Sequence, residues 1–116
     1  MEKLQAAEWK KILTELADML QKVYQEKLKA VILYGSVARG TDSDGSDVDI
    51  MVLIDGNAQE LQNFEDRLSD VSTDFSMKYF KVFSIIDISY QEYMAWRDVS
   101  PFYRNVAEEG VILYAA

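Results

Sequence analysis

Two short groups of residues, ten positions apart, have the types and spacing that phosphate and metal chemistry requires. Gly35 and Ser36 follow an apolar run, and Asp47 and Asp49 stand at the start of the next one. Residues two apart in a strand project to the same face, so we expect Asp47 and Asp49 to lie together. A glycine-serine turn offers backbone N–H groups and a hydroxyl to a phosphate. The spacing therefore predicts two carboxylates beside a phosphate-binding turn.

A third carboxylate, Asp87, lies inside another apolar run. A buried carboxylate needs a partner. If the strands that contain Asp49 and Asp87 pair, the carboxylates of Asp47, Asp49 and Asp87 can converge on one patch. Such groups repel one another unless a cation lies among them, and paired divalent ions lie about 3.5–4 Å apart in two-metal sites. The pattern predicts a site for one or two divalent ions.

Strand alternation also predicts the face that Asp87 uses. Phe83, Ile85 and Asp87 should point one way, and we expect Asp87 to lie where that face opens onto the Gly35-Ser36 turn. The alternative is that Asp49 and Asp87 are solvated charges on edge strands.

Composition limits the other kinds of chemistry. The 116 residues contain no cysteine and no histidine, which excludes disulfides, thiolate zinc sites and imidazole catalysis. Oxygen ligands remain, and they suit magnesium or manganese. The net charge of −8 argues against a nucleic-acid groove. We expect one cytoplasmic α/β domain over residues 1–116, with no membrane span and no signal peptide.

Two familiar loop motifs do not fit. An EF-hand needs glycine at its sixth position, but aligning Gly45 there puts Gly40 at the first ligand position and Met51 at the twelfth. Gly35 and Gly40 have the spacing of the two glycines of a P-loop. A P-loop needs lysine directly after the second glycine, and this chain has Thr41 there. We reject both.

Periodicity and turn residues predict the elements that position these groups, in the order α-β-β-α-β-α-α-β. The sheet should be mixed and covered by helices. The predicted helices are 3–28, 58–77, one that is capped by Ser89 and runs to about Arg97, and one from Pro101 to about Gly110. The predicted strands are 30–34, 48–54, 82–88 and 111–114. A turn-rich segment is predicted over 35–46.

The joint pattern resembles a known signature. Gly35-Ser36, ten residues, then Asp47-x-Asp49 is similar to the motif of the minimal nucleotidyltransferases, which belong to the DNA polymerase β-like nucleotidyltransferase superfamily. The flanking stretches "LYGSVARG" and "SDVDIMVL" agree, and "YRNVAEEGVILY" resembles the closing helix and strand of the family. The resemblance covers essentially the whole chain and implies the nucleotidyltransferase fold, a small mixed sheet with helices packed on it.

The resemblance also implies an activity. Family members transfer a nucleoside monophosphate from a nucleoside triphosphate, usually ATP, to a hydroxyl and release pyrophosphate, with two Mg²⁺ or Mn²⁺ ions. By that likeness Asp47 and Asp49 would bridge both metals. Asp87 would complete the catalytic metal site and help to deprotonate the attacking hydroxyl.

The remaining site residues are likewise implied by the resemblance. Gly35 and Ser36 would hold the β- and γ-phosphates, Arg39 would neutralise charge there, and Ser46 would belong to the nucleotide site. Val37 stands where many relatives carry a basic residue, which implies fewer triphosphate contacts.

The family further implies a partner. Minimal nucleotidyltransferases pair with helical HEPN-domain RNase toxins and neutralise them by adding AMP to a tyrosine. The main hypothesis is therefore an antitoxin enzyme that adenylylates a HEPN toxin, and three predicted carboxylates favour it. A binding module with an idle site that masks the toxin, and a nucleotidyltransferase acting on a small molecule, are the alternatives.

Overall fold

The computed structural model describes residues 6–43 and 45–116 of the chain. Within those ranges no helix is both long and apolar enough to cross a membrane. The helices are α1 (Ala6–Tyr24), α2 (Gly35–Arg39), α3 (Ala58–Gln62), α4 (Glu65–Tyr79), α5 (Tyr90–Trp96) and α6 (Pro101–Glu109), with a 3₁₀ turn at Gln25–Lys27; the strands are β1 (Leu28–Tyr34), β2 (Val48–Ile54), β3 (Phe83–Ser89) and β4 (Val111–Ala115).

The four strands form one mixed sheet in the order β3-β2-β1-β4. β1 runs antiparallel to both β2 and β4, while β2 and β3 run parallel. The predicted α/β class and mixed sheet are confirmed. The parallel β2–β3 pair fixes which side chains of the two strands share a face, and this decides the composition of the site.

Helices cover both faces of the sheet. On one face α1 and α4 pack against alternate residues of β1, β2 and β3, including Val48, Ile50, Val52, Phe83 and the partly buried Ile85. On the other face α5 and α6 contribute Tyr93 and Val106, which pack with Ile32, Met51, Leu53 and the partly buried Ile86 and Ile88. β1, β2 and β3 therefore divide their residues between two cores, as period-two alternation requires.

The first helix is shorter at its C-terminal end than predicted. It ends at Tyr24, because Gln25 has a positive φ of 53° and begins a 3₁₀ turn. β1 consequently starts at Leu28, two residues before the predicted strand. Residues 3–5 of the predicted helix lie outside the described residues.

The helix predicted over 58–77 is two helices. Asn57 begins α3 with a capping box in which its side chain and that of Glu60 bond reciprocally to backbone N–H groups. The N–H groups of Asn63 and Phe64 then donate three residues back rather than four, which interrupts the α-helical ladder. The Phe64 ring packs 4.7 Å from that of Tyr24, so the break is held by α1.

The two C-terminal helices begin as predicted. Ser89 accepts a hydrogen bond from the Glu92 N–H, and Ser100 accepts one from the Tyr103 N–H with Pro101 at the first helical position. Both are ordinary N-caps.

Candidate active site

Asp49 lies directly beside Gly35 because β1 and β2 run antiparallel. Tyr34 pairs with Asp49, so the chain leaves β1 at the level of this carboxylate. Gly35 has a φ of +77°, a left-handed value that favours glycine. A Cβ built on Gly35 would collide with Oδ2 of Asp49. The close approach of backbone and carboxylate therefore requires glycine at this position.

Asp47 and Asp49 interact as a pair. Asp47 is exposed just before β2, and Asp49 is half-buried within it. Burial raises the pKa of the Asp49 carboxyl, the charge of Asp47 raises it further, and the Arg39 guanidinium lowers it. Since the charge of Asp47 disfavours ionisation of Asp49, a bound cation would stabilise both carboxylates in their charged forms.

The segment after β1 is helical where a turn-rich segment was predicted. Tyr34 precedes α2 in an extended conformation and makes no side-chain capping bond. The first N–H groups of a helix have no acceptor within it, so donors at the start of α2 remain for a ligand beside Asp49. α2 ends at Gly40, whose N–H donates to the Val37 oxygen at 3.2 Å.

Arg39 and Ser46, both predicted in the nucleotide site, have different surroundings. Arg39 Nη1 lies 3.4 Å from Oε2 of Glu109 on α6, and both side chains are about half exposed. Arg39 lines a cavity together with Gly35, the residue against which Asp49 lies. Ser46 Oγ accepts a hydrogen bond from the Ser43 N–H at 2.9 Å and so orders the loop before β2.

The structure does not bring Asp87 to the pair, and the predicted convergence of three carboxylates is wrong. In the parallel register Val52 lies opposite Asp87, and Ser84 lies opposite Asp49. Paired residues share a face, so Asp87 and Asp49 project from opposite faces of the sheet. Asp87 is also three residues, or about 10 Å, further along the strands. The Gly35-Ser36 turn lies beside the start of β2, whereas Asp87 lies beside Val52 further along that strand, so the Asp87 side chain does not face the turn.

Asp87 instead has a structural partner. Its predicted alternation with Phe83 and Ile85 is confirmed, since both pack in the core under α1 and α4. On that side Asp87 Oδ2 accepts a hydrogen bond from the Tyr24 hydroxyl at 3.2 Å. Burial raises the pKa of Asp87, and this hydrogen bond partly offsets the increase. The half-buried charge is thus explained by Tyr24 rather than by a metal.

Asp87→Asn should therefore leave metal and ATP binding unchanged and affect only stability. The asparagine oxygen still accepts the Tyr24 bond, whereas Asp87→Leu leaves the buried Tyr24 hydroxyl without its acceptor and should cost about 1–3 kcal/mol. Burial places the folded pKa of Asp87 above its ordinary value of 3.8, so wild-type stability falls as pH rises from 3.8 towards the folded pKa. Thermal denaturation should show that the stability of Asp87→Asn relative to wild type is higher above about pH 4 than below it. Loss of Mn²⁺ or ATP binding in Asp87→Asn would return Asp87 to the site.

Ser84 is the residue that the sequence analysis missed. It pairs with Asp49 and shares its face. The groove along β3 that Ser84 and Asp47 line is also lined by Asp87, so the strand register, not the groove, distinguishes Ser84 from Asp87. The available signal was a polar residue at an alternate position of the strand, three residues before Asp87. Choosing Ser84 over Asp87 requires the parallel register, which the sequence does not provide.

Ser84→Asp should create a three-carboxylate cluster of a kind that is absent from residues 6–43 and 45–116. We expect the affinity for Mn²⁺ without nucleotide to rise about tenfold, or about 1.4 kcal/mol. Titration of Mn²⁺ by electron paramagnetic resonance measures this directly, with Ser84→Ala and Asp87→Asn as controls that should match wild type. An unchanged affinity in Ser84→Asp would show that position 84 does not face the pair.

The donor set fits a divalent ion that is shared with a nucleotide. Mg²⁺ is commonly bound by one or two carboxylates plus substrate phosphates, and Asp47 and Asp49 meet that requirement. Across residues 6–43 and 45–116 no cluster of three or more acidic side chains is placed to hold an ion by itself. The residues therefore suit a metal that arrives with the triphosphate.

Comparison with known proteins shows the family of this chain. The family model described as "Polymerase beta, Nucleotidyltransferase" matches residues 14–116, which include Gly35, Asp47 and Asp49. A relative from Methanocaldococcus jannaschii, named as a candidate protein adenylyltransferase, is 33% identical over 104 residues, which cover 90% of this chain and 96% of the relative.

Two solved structures share the fold. A chain of a substituted MntA–HpeT toxin–antitoxin complex superposes with a TM-score of 0.59 at 17% identity, covering 90% of this chain and 73% of that chain. A chain from the complex of a tri-AMPylated Shewanella oneidensis HEPN toxin with its MNT antitoxin gives a TM-score of 0.53 at 15% identity, covering 92% and 73%. The predicted fold is confirmed.

Proposed function

This chain belongs to the polymerase beta nucleotidyltransferase family, and from that premise we propose that it transfers AMP from ATP to a tyrosine hydroxyl of a HEPN-domain toxin and so neutralises the toxin. The observation that carries the proposal is the Asp49 carboxylate held against the Gly35 backbone with Asp47 beside it. The relative named for protein adenylyltransferase activity and the AMPylated HEPN toxin of the similar complex support it.

The proposed reaction is an in-line displacement at phosphorus. The tyrosine oxygen bonds to the α-phosphorus of ATP, and the bond from that phosphorus to the bridging oxygen of pyrophosphate breaks. Pyrophosphate leaves with the bonding electrons, and the phenolic proton passes to solvent. Backbone N–H groups at Gly35 and Ser36 bind the β- and γ-phosphates and so orient the leaving group.

Charge at the phosphates is balanced by two sources. Asp47 and Asp49 would hold Mg²⁺ or Mn²⁺, which supplies electrostatic stabilisation of the transferred group when bound. Arg39 adds a positive charge from the chain itself. Its exposed ion pair with Glu109 is of a kind that contributes little, so the guanidinium can exchange Glu109 for a phosphate.

One observation favours a second candidate, a toxin-masking module that binds nucleotide without transferring it. The argument that three carboxylates favour an enzyme fails, because Asp87 lies on the other face and Ser84 faces Asp49. A two-carboxylate site can bind a metal nucleotide without activating the acceptor.

Label transfer decides between the two candidates. The chain is incubated with Mg²⁺, ATP labelled on the α-phosphate and a cognate HEPN-domain protein. We expect label on the HEPN protein, and none when EDTA is in excess over Mg²⁺. A HEPN protein that is inhibited but unlabelled would establish the masking module instead.

A further inference from the structure

An exposed apolar patch lies at the C-terminal end of α4. Met77 is 71% exposed, Phe80 75% and Val82 58%. We call these three residues the α4 platform. Because these large apolar side chains are exposed, they contribute little to the stability of the fold. A contiguous group of exposed apolar side chains is typical of an interaction site.

Phe80 is also in an unfavourable backbone conformation. It ends α4 with φ 55° and ψ 39°, in the left-handed region, where glycine is the usual residue. A bulky side chain at positive φ is an outlier, and such outliers cluster at functional sites. Since the Phe80 ring is exposed, packing within the chain does not compensate for this conformation. A role outside the folded core is therefore indicated.

The α4 platform adjoins the paired carboxylates. Its three residues and Asp47 line one open cavity of about 370 Å³. Val82 and Asp47 also line the adjoining groove along β3, which contains Ser84. The backbone fixes this proximity, because the Val48 N–H donates to the Val82 oxygen at 2.8 Å.

The order of the strands separates the two sides of the site. Gly35 follows β1, Asp47 and Asp49 lie at the start of β2, and Val82 precedes β3, on the far side of β2 from β1. Attacking and leaving oxygens lie roughly in line at the transferred phosphorus. If pyrophosphate leaves on the β1 side at Gly35, the acceptor oxygen must approach from the β3 side, where the platform is.

We propose that the α4 platform docks the acceptor, an aromatic side chain that carries a hydroxyl. This inference rests on the proposed function and identifies the residues that select its acceptor. A tyrosine ring stacked on Phe80 satisfies the apolar surface, while its hydroxyl, at the far end of the ring, reaches the carboxylate edge at Asp47. The net charge of −8 disfavours a nucleic-acid acceptor.

Phe80→Gly tests the platform without a cost to folding. Glycine accepts the left-handed conformation, so the variant should be at least as stable as wild type. With the HEPN protein as acceptor and Mg²⁺-ATP as donor, we expect the acceptor KM to rise about tenfold while the dissociation constant of AMP-PNP stays within twofold. Trp96→Ala is the matched control, since Trp96 is an exposed aromatic residue on α5 and should leave both constants unchanged.

The outcomes separate the two proposals. Transfer with an unchanged acceptor KM in Phe80→Gly would overturn the platform and leave the proposed function standing. If Phe80→Gly weakens AMP-PNP binding as much as it weakens acceptor binding, the platform contacts the nucleotide. That result would also overturn the proposal that the platform docks the acceptor. Absence of transfer by the wild-type chain would overturn the proposed function, and the platform with it.

Discussion

Asp49→Asn and Asp47→Asn are each expected to lower the rate of the proposed AMP transfer to a HEPN toxin by about 10³-fold or more. The described chain has no third carboxylate beside this pair, because Asp87 projects from the opposite face and Ser84 faces Asp49. Removing either member therefore halves the carboxylate charge that is available to hold the proposed metal ion. The measurement is the initial rate of label transfer from α-labelled ATP at saturating Mg²⁺.

Asp55→Asn is the matched control for this pair. Asp55 follows β2 at its other end, where it accepts a hydrogen bond from Gln91 at 2.9 Å. Its loss should leave transfer at the wild-type rate. The Asp49→Asn fold should remain intact in metal-free buffer, because burial and Asp47 already disfavour the Asp49 charge. Transfer within tenfold of wild type in both Asp47→Asn and Asp49→Asn would remove the pair from the chemistry.

Gly35→Ala is expected to abolish ATP binding and to lower the free energy of unfolding by about 2–3 kcal/mol. Two effects combine. The left-handed φ of +77° strains any residue with a Cβ, and the added Cβ collides with Oδ2 of Asp49. The carboxylate must move away from the turn, which separates the predicted metal and phosphate contacts.

Gly40→Ala separates these two effects. Gly40 has a nearly identical φ of +74°, but a Cβ built there meets no atom within 4 Å. It should therefore cost only the backbone strain, about 1–2 kcal/mol, and keep ATP binding. Denaturant unfolding and ATP titration of both variants give the difference that is due to Asp49. Equal effects of the two substitutions would show that Gly35 serves only its own backbone conformation.

A double substitution tests the contact itself. In Gly35→Ala combined with Asp49→Ala the colliding carboxylate is absent, so part of the lost stability should return. ATP binding should stay lost, because the metal pair is then incomplete.

The sequence was sufficient for the parts of the site that lie close together along the chain. The bounds of β2 agree with the predicted strand, and Asp49 lies beside the Gly35 turn as predicted; the antiparallel pairing of β1 and β2 that brings them together was not predicted. Antiparallel neighbours need no crossover connection, and residues 35–47 join β1 directly to β2, so the two strands are adjacent along the chain as well as in the sheet.

The position of Asp87 could not be predicted in the same way. Its alternation within β3 was right, but alternation does not give the offset between β3 and a parallel neighbour. That offset is set by the crossover through α3 and α4, whose break at Asn63 and Phe64 was also missed. A shift of one residue moves every side chain to the other face, so a small error in register exchanges Ser84 for Asp87 in the site.

Intact-mass measurement of the HEPN toxin tests the central claim most directly. The toxin is co-expressed with the wild-type chain, or with the chain carrying both Asp47→Asn and Asp49→Asn, and each purified toxin is weighed and assayed for RNase activity. We predict toxin that is heavier by one or more adenylyl groups and inactive with the wild type, and unmodified, active toxin with the variant. Toxin that is unmodified yet inactive after co-expression with the wild type would contradict the account.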